Sequence, residues 1–156
     1  MKKIYVGKFV KTHGIKGEIK IISNFKYKEK VFQKNFKIYL GDSEFIIDSY
    51  RKHQKYDMIT LKNITNINEI LSFKGSKVYI DLVDLKLNKE EYLDEDLIGM
   101  DVVMNDIVKG KVMDIQNITK NKKIMIVDNK YVPMELVKEI NFQNKKIILE
   151  EVDGLL

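Results

Sequence analysis

The chain has 156 residues, of which 44% are hydrophobic and 33% charged, with no cysteine and a formal net charge of +5. The missing cysteine excludes disulfides, thiolate nucleophiles and sulfur-based zinc sites, and the apolar content is too high for a disordered chain. No stretch approaches the roughly 20 consecutive apolar residues of a membrane helix. Gly7, Lys8 and Lys11 interrupt the apolar run that a signal peptide needs behind its charged start. A cytoplasmic, membrane-free protein is expected.

Net charge alone is weak evidence for a nucleic-acid partner here. Arg51 is the sole arginine and alanine is absent, the usage an AT-rich genome imposes. Position along the chain is more telling, because codon bias acts on both halves alike. Residues 1–84 hold 17 Lys and Arg against 9 Asp and Glu, a net of +8, while residues 85–156 hold 11 against 14, a net of −3. A basic N-terminal part suits phosphate contacts, and an acidic C-terminal part suits a different partner.

In chain order, short β-type runs come first: Ile4–Val10, Glu18–Ser23, Phe36–Leu40, Glu44–Tyr50, Met58–Leu61 and Lys77–Ile80. Phe36, Ile38 and Leu40 alternate with Lys37 and Tyr39, the period of a strand with one buried face, and Gly41-Asp42 follows as a hairpin turn. Ile67, Ile70, Leu71 and Phe73 suggest one short helix, with Asn66 as its N-cap and Gly75 at its end. Asp81–Glu91 has alternating charge and little periodicity, which suits a connector. Strands resume at Asp101–Met104, Lys111–Ile115, Ile124–Val127, Lys130–Val132 and Lys146–Glu150. Turns are expected at Asn105-Asp106 before Gly110, at Asp128-Asn129 and at Gln143-Asn144, and Pro133 ends a strand. The fold class is therefore all-β with one short helix, arranged as two small barrels: residues 1–84, a linker over 85–92, and residues 93–156.

Catalytic motifs are lacking. Gly14-Ile15-Lys16-Gly17 has neither the spacing nor the Lys-Ser/Thr pair of a phosphate loop, and it leads into a strand. His13 has a side chain suited to acid–base work, but beside Gly14 and without a nucleophile it reads as a turn or contact residue. His13 and His53 fall on different expected loops, and Asp94-Glu95-Asp96 reads as a solvated run, so no metal site and no cofactor are expected. Lys8, Lys11, Lys16 and Lys20, with Tyr5 and Phe9 interleaved, form either a phosphate-tracking patch or the solvated face of a lysine-rich barrel.

The run Gly7-Lys8-Phe9-Val10-Lys11-Thr12-His13-Gly14-Ile15-Lys16-Gly17-Glu18-Ile19-Lys20 resembles the N-terminal signature of the RimM family. The resemblance continues through Asn66–Gly75, Asp96-Leu97-Ile98-Gly99, Gly110-Lys111-Val112, Val132-Pro133-Met134 and Gly154-Leu155-Leu156, nearly the whole chain. It implies an N-terminal barrel like those of translation elongation factors followed by a PRC-type barrel. It also implies a non-enzymatic role in 30S assembly and 16S rRNA processing, with the small-subunit ribosomal protein uS19 as partner. Lys8, Lys11, His13, Lys16 and Lys20 are then candidates for contact with RNA or the immature 30S subunit, and Tyr92, Leu93, Asp96 and Leu97 for contact with the ribosomal protein. The family often carries two adjacent aromatics before its Asp-Leu-Ile-Gly; here Tyr92 stands alone, followed by Leu93, which implies an altered or weaker contact. A monomer is expected. The alternatives are a general RNA-binding barrel protein, against which the acidic C-terminal half argues, and a flavin-carrying split barrel.

Overall fold

The computed structural model describes residues 2–119 and 121–156; Met1, the first residue of the expected first domain, and Lys120 lie outside them. The chain divides into two compact units, Met1–Lys86 and Leu87–Leu156.

The first unit runs β1 (Lys3–His13), β2 (Glu18–Ile22), α1 (Lys28–Val31), β3 (Lys37–Leu40), β4 (Ser43–His53), β5 (Tyr56–Leu61) and β6 (Lys77–Asp81). These strands close into a barrel in the order β1-β2-β5-β4-β3-β6, with β6 pairing back onto β1. Alternation explains its core. Ile19 and Ile21, Ile38 and Leu40, and Val78 and Ile80 are buried, while the residues between them face outward. Gly41, in the left-handed region at φ 59°, opens the two-residue turn between β3 and β4.

Two features of this unit depart from the sequence-based expectation. The helix expected after Asn66 is two successive 3-10 turns, Ile67–Glu69 and Leu71–Phe73. Asn66 does cap the first, its side chain accepting from the Asn68 amide at 2.8 Å while Glu69 accepts from the Asn66 amide at 3.2 Å. The segment is too short to repay the cost of starting an α-helix, and Ile70 is its fully buried anchor. The unit's α-helix is instead α1, unanticipated because four residues show no readable period. Tyr27, Val31 and Phe32 bury it, and Phe32 stacks on Tyr50 with ring centres 6.2 Å apart.

The second unit contains β7 (Asp101–Met104), β8 (Ile107–Thr119), β9 (Lys122–Val127), β10 (Lys130–Pro133), β11 (Val137–Asn141) and β12 (Lys146–Leu149), in the sheet order β10-β9-β8-β7-β12-β11. Asn105 and Asp106, both with positive φ, make the tight turn from β7 to β8. β8 is much longer than expected. β11 was not anticipated at all, because a register shift between Val137 and Glu139 breaks its alternation. The two edge strands, β10 and β11, are consecutive in the chain and joined by the 3-10 turn Met134–Leu136. The sheet must therefore curl until its ends are neighbours, and Pro133, with no amide hydrogen, sits where that seam lies. Leu97, Met100, Val102, Val112, Met125, Val127, Val132 and Ile147 fill its interior.

Residues 85–92, expected as a linker, are divided between the units. Leu85 is buried, and the Asp81 end of the expected connector belongs to β6 and has no exposure. Asn88 folds a local turn in which its side chain accepts from the amides of Glu90 and Glu91 at 2.9 and 3.1 Å.

Candidate nucleic-acid interface

The first candidate group stands on the β1–β2 hairpin. Lys8 and Lys11 are exposed on β1, His13 ends that strand, and Lys16 lies in the turn between Gly14 and Gly17. Both glycines have positive φ, 72° and 91°. At Gly17 a Cβ would also come within 3.1 Å of Ile64, so that position has two reasons to be glycine. The Ile67 amide donates to the Ile15 carbonyl at 3.0 Å, tying the turn to the first 3-10 segment, while the Ile15 side chain is left 81% exposed at the tip. Lys20, half-buried on β2, places its Nζ 4.8 Å from the centre of the Tyr56 ring. Phe9 is different: it is fully buried, so it belongs to the core and not to any surface aromatic series.

A second hairpin joins the first. The two histidines do not sit on separate loops; His13 ends β1, His53 ends β4, and their rings are 6.2 Å apart. Pairing of β2 with β5 brings the end of β4, where Lys52 and Lys55 lie close to His53 in the chain, to the end of β1. The local acid, Glu18, is occupied: Arg51 donates to both its oxygens, at 2.9 and 2.7 Å. The bonded guanidinium holds the Glu18 carboxyl below its ordinary range, against the opposing effect of burial. Asp57, 1% exposed and opposite Ile21 toward the other end of β2, accepts from Lys28 at 2.9 Å and from the Tyr50 hydroxyl at 2.7 Å, with Lys52 at 3.6 Å. Desolvation and this bond push the Tyr50 hydroxyl up to about 12. The carboxylates here are thus neutralised from within, and the exposed charge is lysine. His53, with Lys52 and Lys55 close to it in the chain, was missed from sequence because only the order β1-β2-β5-β4 brings its ring to His13.

The second candidate group behaves differently. Leu97 has no exposure and Leu93 is buried, so both are core side chains. Asp96 accepts from the Leu93 amide at 2.9 Å, closing the 3-10 turn Asp94–Leu97. Asp94 is paired with Lys123 at 2.8 Å. Tyr92 is half-buried and packs against Phe142, ring centres 5.5 Å apart. Exposed apolar side chains of this unit lie both here, at Ile98 and Phe142, and elsewhere, at Ile107, Met113, Ile118 and Tyr131. Among the described residues, no helix is long and apolar enough to cross a membrane.

Comparison with known proteins places this chain in a family. Residues 4–85 match the family model described as the RimM N-terminal domain. Proteins named ribosome maturation factor RimM from two Staphylococcus aureus strains, bovine RF122 and MRSA252, are 36% and 35% identical over 165 aligned residues, covering 99% of this chain and 99% of theirs. Among solved structures, a RimM crystal structure from Pseudomonas aeruginosa is 18% identical, covers 97% of this chain and 98% of its own, and has a TM-score of 0.42. The solution structure of the N-terminal domain of RimM from Thermus thermophilus is 18% identical, covers 56% and 98%, and has a TM-score of 0.48. On the family model and the full-length identity, this chain belongs to the RimM family.

Proposed function

We propose that this protein is a cytoplasmic ribosome maturation factor that acts by binding and carries out no covalent chemistry. The observation that carries the proposal is the 36% identity, over essentially the full length of both chains, with a protein named for that role. The basic first unit faces the 16S rRNA of an immature 30S subunit through Lys8, Lys11, His13, Lys16 and Lys20, joined by Lys52 and Lys55. The acidic second unit, as a monomer's other half, holds the basic ribosomal protein uS19 until its RNA site in the 30S head is ready. Tyr92 and Asp96 are the accessible members of the second group; Leu93 and Leu97 support them from the core. Tighter binding to the immature particle than to the mature one shifts assembly toward the productive conformation. Opposite charge on the two units speeds each encounter more than it raises affinity.

The experiment is a ribosome profile from cells lacking this protein, complemented by the wild type or by a Lys16→Glu/Lys55→Glu variant. Deletion is expected to accumulate free subunits and unprocessed small-subunit RNA. The double variant should bind immature 30S roughly tenfold more weakly, with a reduced salt dependence. Normal subunits and processed RNA in the deletion strain would sink the proposal.

A further inference from the structure

Away from the hairpin tips, the outer face of the first barrel carries a row of three tyrosines on adjacent strands. Tyr5 of β1 lies directly opposite Tyr79 of β6, and Tyr79 directly opposite Tyr39 of β3. Val78 and Ile80, which flank Tyr79 along its strand, are buried, so alternation puts the tyrosines on the outside. The rings of Tyr5 and Tyr79 meet edge to face at 6.0 Å and 69°, and Tyr5 remains 53% exposed. Tyr39 is held in place: its hydroxyl donates to Asp81 at 2.8 Å, and Lys3 Nζ lies 3.9 Å from the centre of its ring. The result is a rigid aromatic surface with its outer ring open to solvent.

Lysines flank that row on both sides. Lys3 lies opposite Asp81 two residues along the ladder, and on the other side Lys8 lies directly opposite Lys77. Like charges facing each other across a sheet destabilise it, and among the described residues no carboxylate is ion-paired with Lys8 or Lys77. A second such pair, Lys11 opposite Lys20, continues the series along β1. The acids at the Lys3 end of the row are themselves ion-paired with another lysine. Asp81 has no exposure and is paired with Lys37 at 2.8 Å, and Lys37 also reaches Asp84 at 3.7 Å and Glu44 at 4.0 Å. A chain of phosphates over Lys8 and Lys77 would relieve the repulsion, and a base over Tyr5 would cover the open ring.

We propose that the Tyr5, Tyr79 and Tyr39 row, with Lys3, Lys8 and Lys77, is a platform for an unpaired segment of RNA. The proposal rests on the first unit facing RNA and specifies which form of RNA it takes. Bases in a duplex are already stacked on one another and cannot use an exposed ring, whereas unpaired bases can. A peptide adding as a strand is disfavoured, because β1, β6 and β3 are each paired on both sides and leave no edge.

The test measures anisotropy of a labelled oligouridylate, and of an RNA duplex of equal length, with the full-length protein. The single strand should bind more tightly than the duplex. Tyr5→Ala should weaken single-strand binding about fivefold or more and leave duplex binding unchanged, while Tyr5→Phe keeps the ring and the affinity. Tyr5→Leu, which preserves bulk without a stacking face, should behave like Tyr5→Ala, and unchanged thermal melts of these variants would show that the fold is intact. Equal affinity for duplex and single strand, wild-type binding by Tyr5→Ala, or no binding of either RNA would overturn the proposal. Self-association that disappears in Tyr5→Ala, with RNA binding unaltered, would assign the row to a second copy of the chain and overturn it equally. None of these results changes the subunit profile of the deletion strain, so the maturation role is judged separately.

Discussion

The first unit closes by hydrogen bonds all the way round and encloses two carboxylates; the second ends in two strands joined by a turn and, among the described residues, buries only apolar side chains. The difference lies in how each barrel end is sealed. In the first, α1 covers the end where Asp57 lies, and Lys28 reaches from α1 to that carboxylate. In the second, Leu155 and Leu156 and a set of apolar side chains pack against the core with no ion pair within it. Stability in the first unit should therefore respond to charge, and in the second to volume.

The largest expected effect tests the second half of that statement. Leu97→Ala, removing a fully buried side chain from the apolar cluster, should destabilise the second unit by about 3 kcal/mol. Hydrogen exchange should show lost protection across residues 87–156 and none across 3–85. An equal loss in both units would mean that they unfold together, and the comparison would fail. Next in size, Asp57→Ala should cost the first unit about 2 kcal/mol in urea unfolding, because the Tyr50 hydroxyl and two lysines lose their shared acceptor. The figure lies at the lower end for a buried pair, since Lys28 and Lys52 keep part of their hydration.

The smallest effect is the response to pH, and its sign differs at the two ends of the scale. Hydrogen bonds from Arg51 and Lys37 lower the Glu18 and Asp81 carboxyls below 4.5 and 3.8, respectively. Their contribution is therefore present above those values and lost as pH falls through the lower folded-state ones. The Tyr50 hydroxyl, raised from 10.0 to about 12, contributes fully below pH 10 and ceases to as pH rises through about 12. Thermal melts of the first unit should fall at both extremes, and Tyr50→Phe should reduce the alkaline loss alone. An alkaline loss unchanged in that variant would remove Asp57 and Tyr50 from the account.

Much of the architecture was legible because its signals are local. Alternation at Phe36–Leu40, the Gly41-Asp42 turn and the Asn105-Asp106 turn each depend on neighbours within a few residues. The elements that escaped notice are those whose local signal is weak or interrupted: α1 is a single turn, and β11 is bulged. Leu93 and Leu97 look like surface candidates when read within a motif, yet apolar side chains at that spacing serve the core equally well, and only packing distinguishes the two.

By itself the sequence determined the β character, the opposite charge of the two halves, the glycine turn and the resemblance to RimM, since each is written in composition or in contiguous residues. The tertiary structure alone decided which lysines share a surface. Barrel closure brings His53 to His13 and sets Tyr5, Tyr79 and Tyr39 in one row from strands far apart in the chain. Such neighbours are created by strand order and register, which depend on the pairing of distant segments and leave no mark in the spacing of residues along the chain.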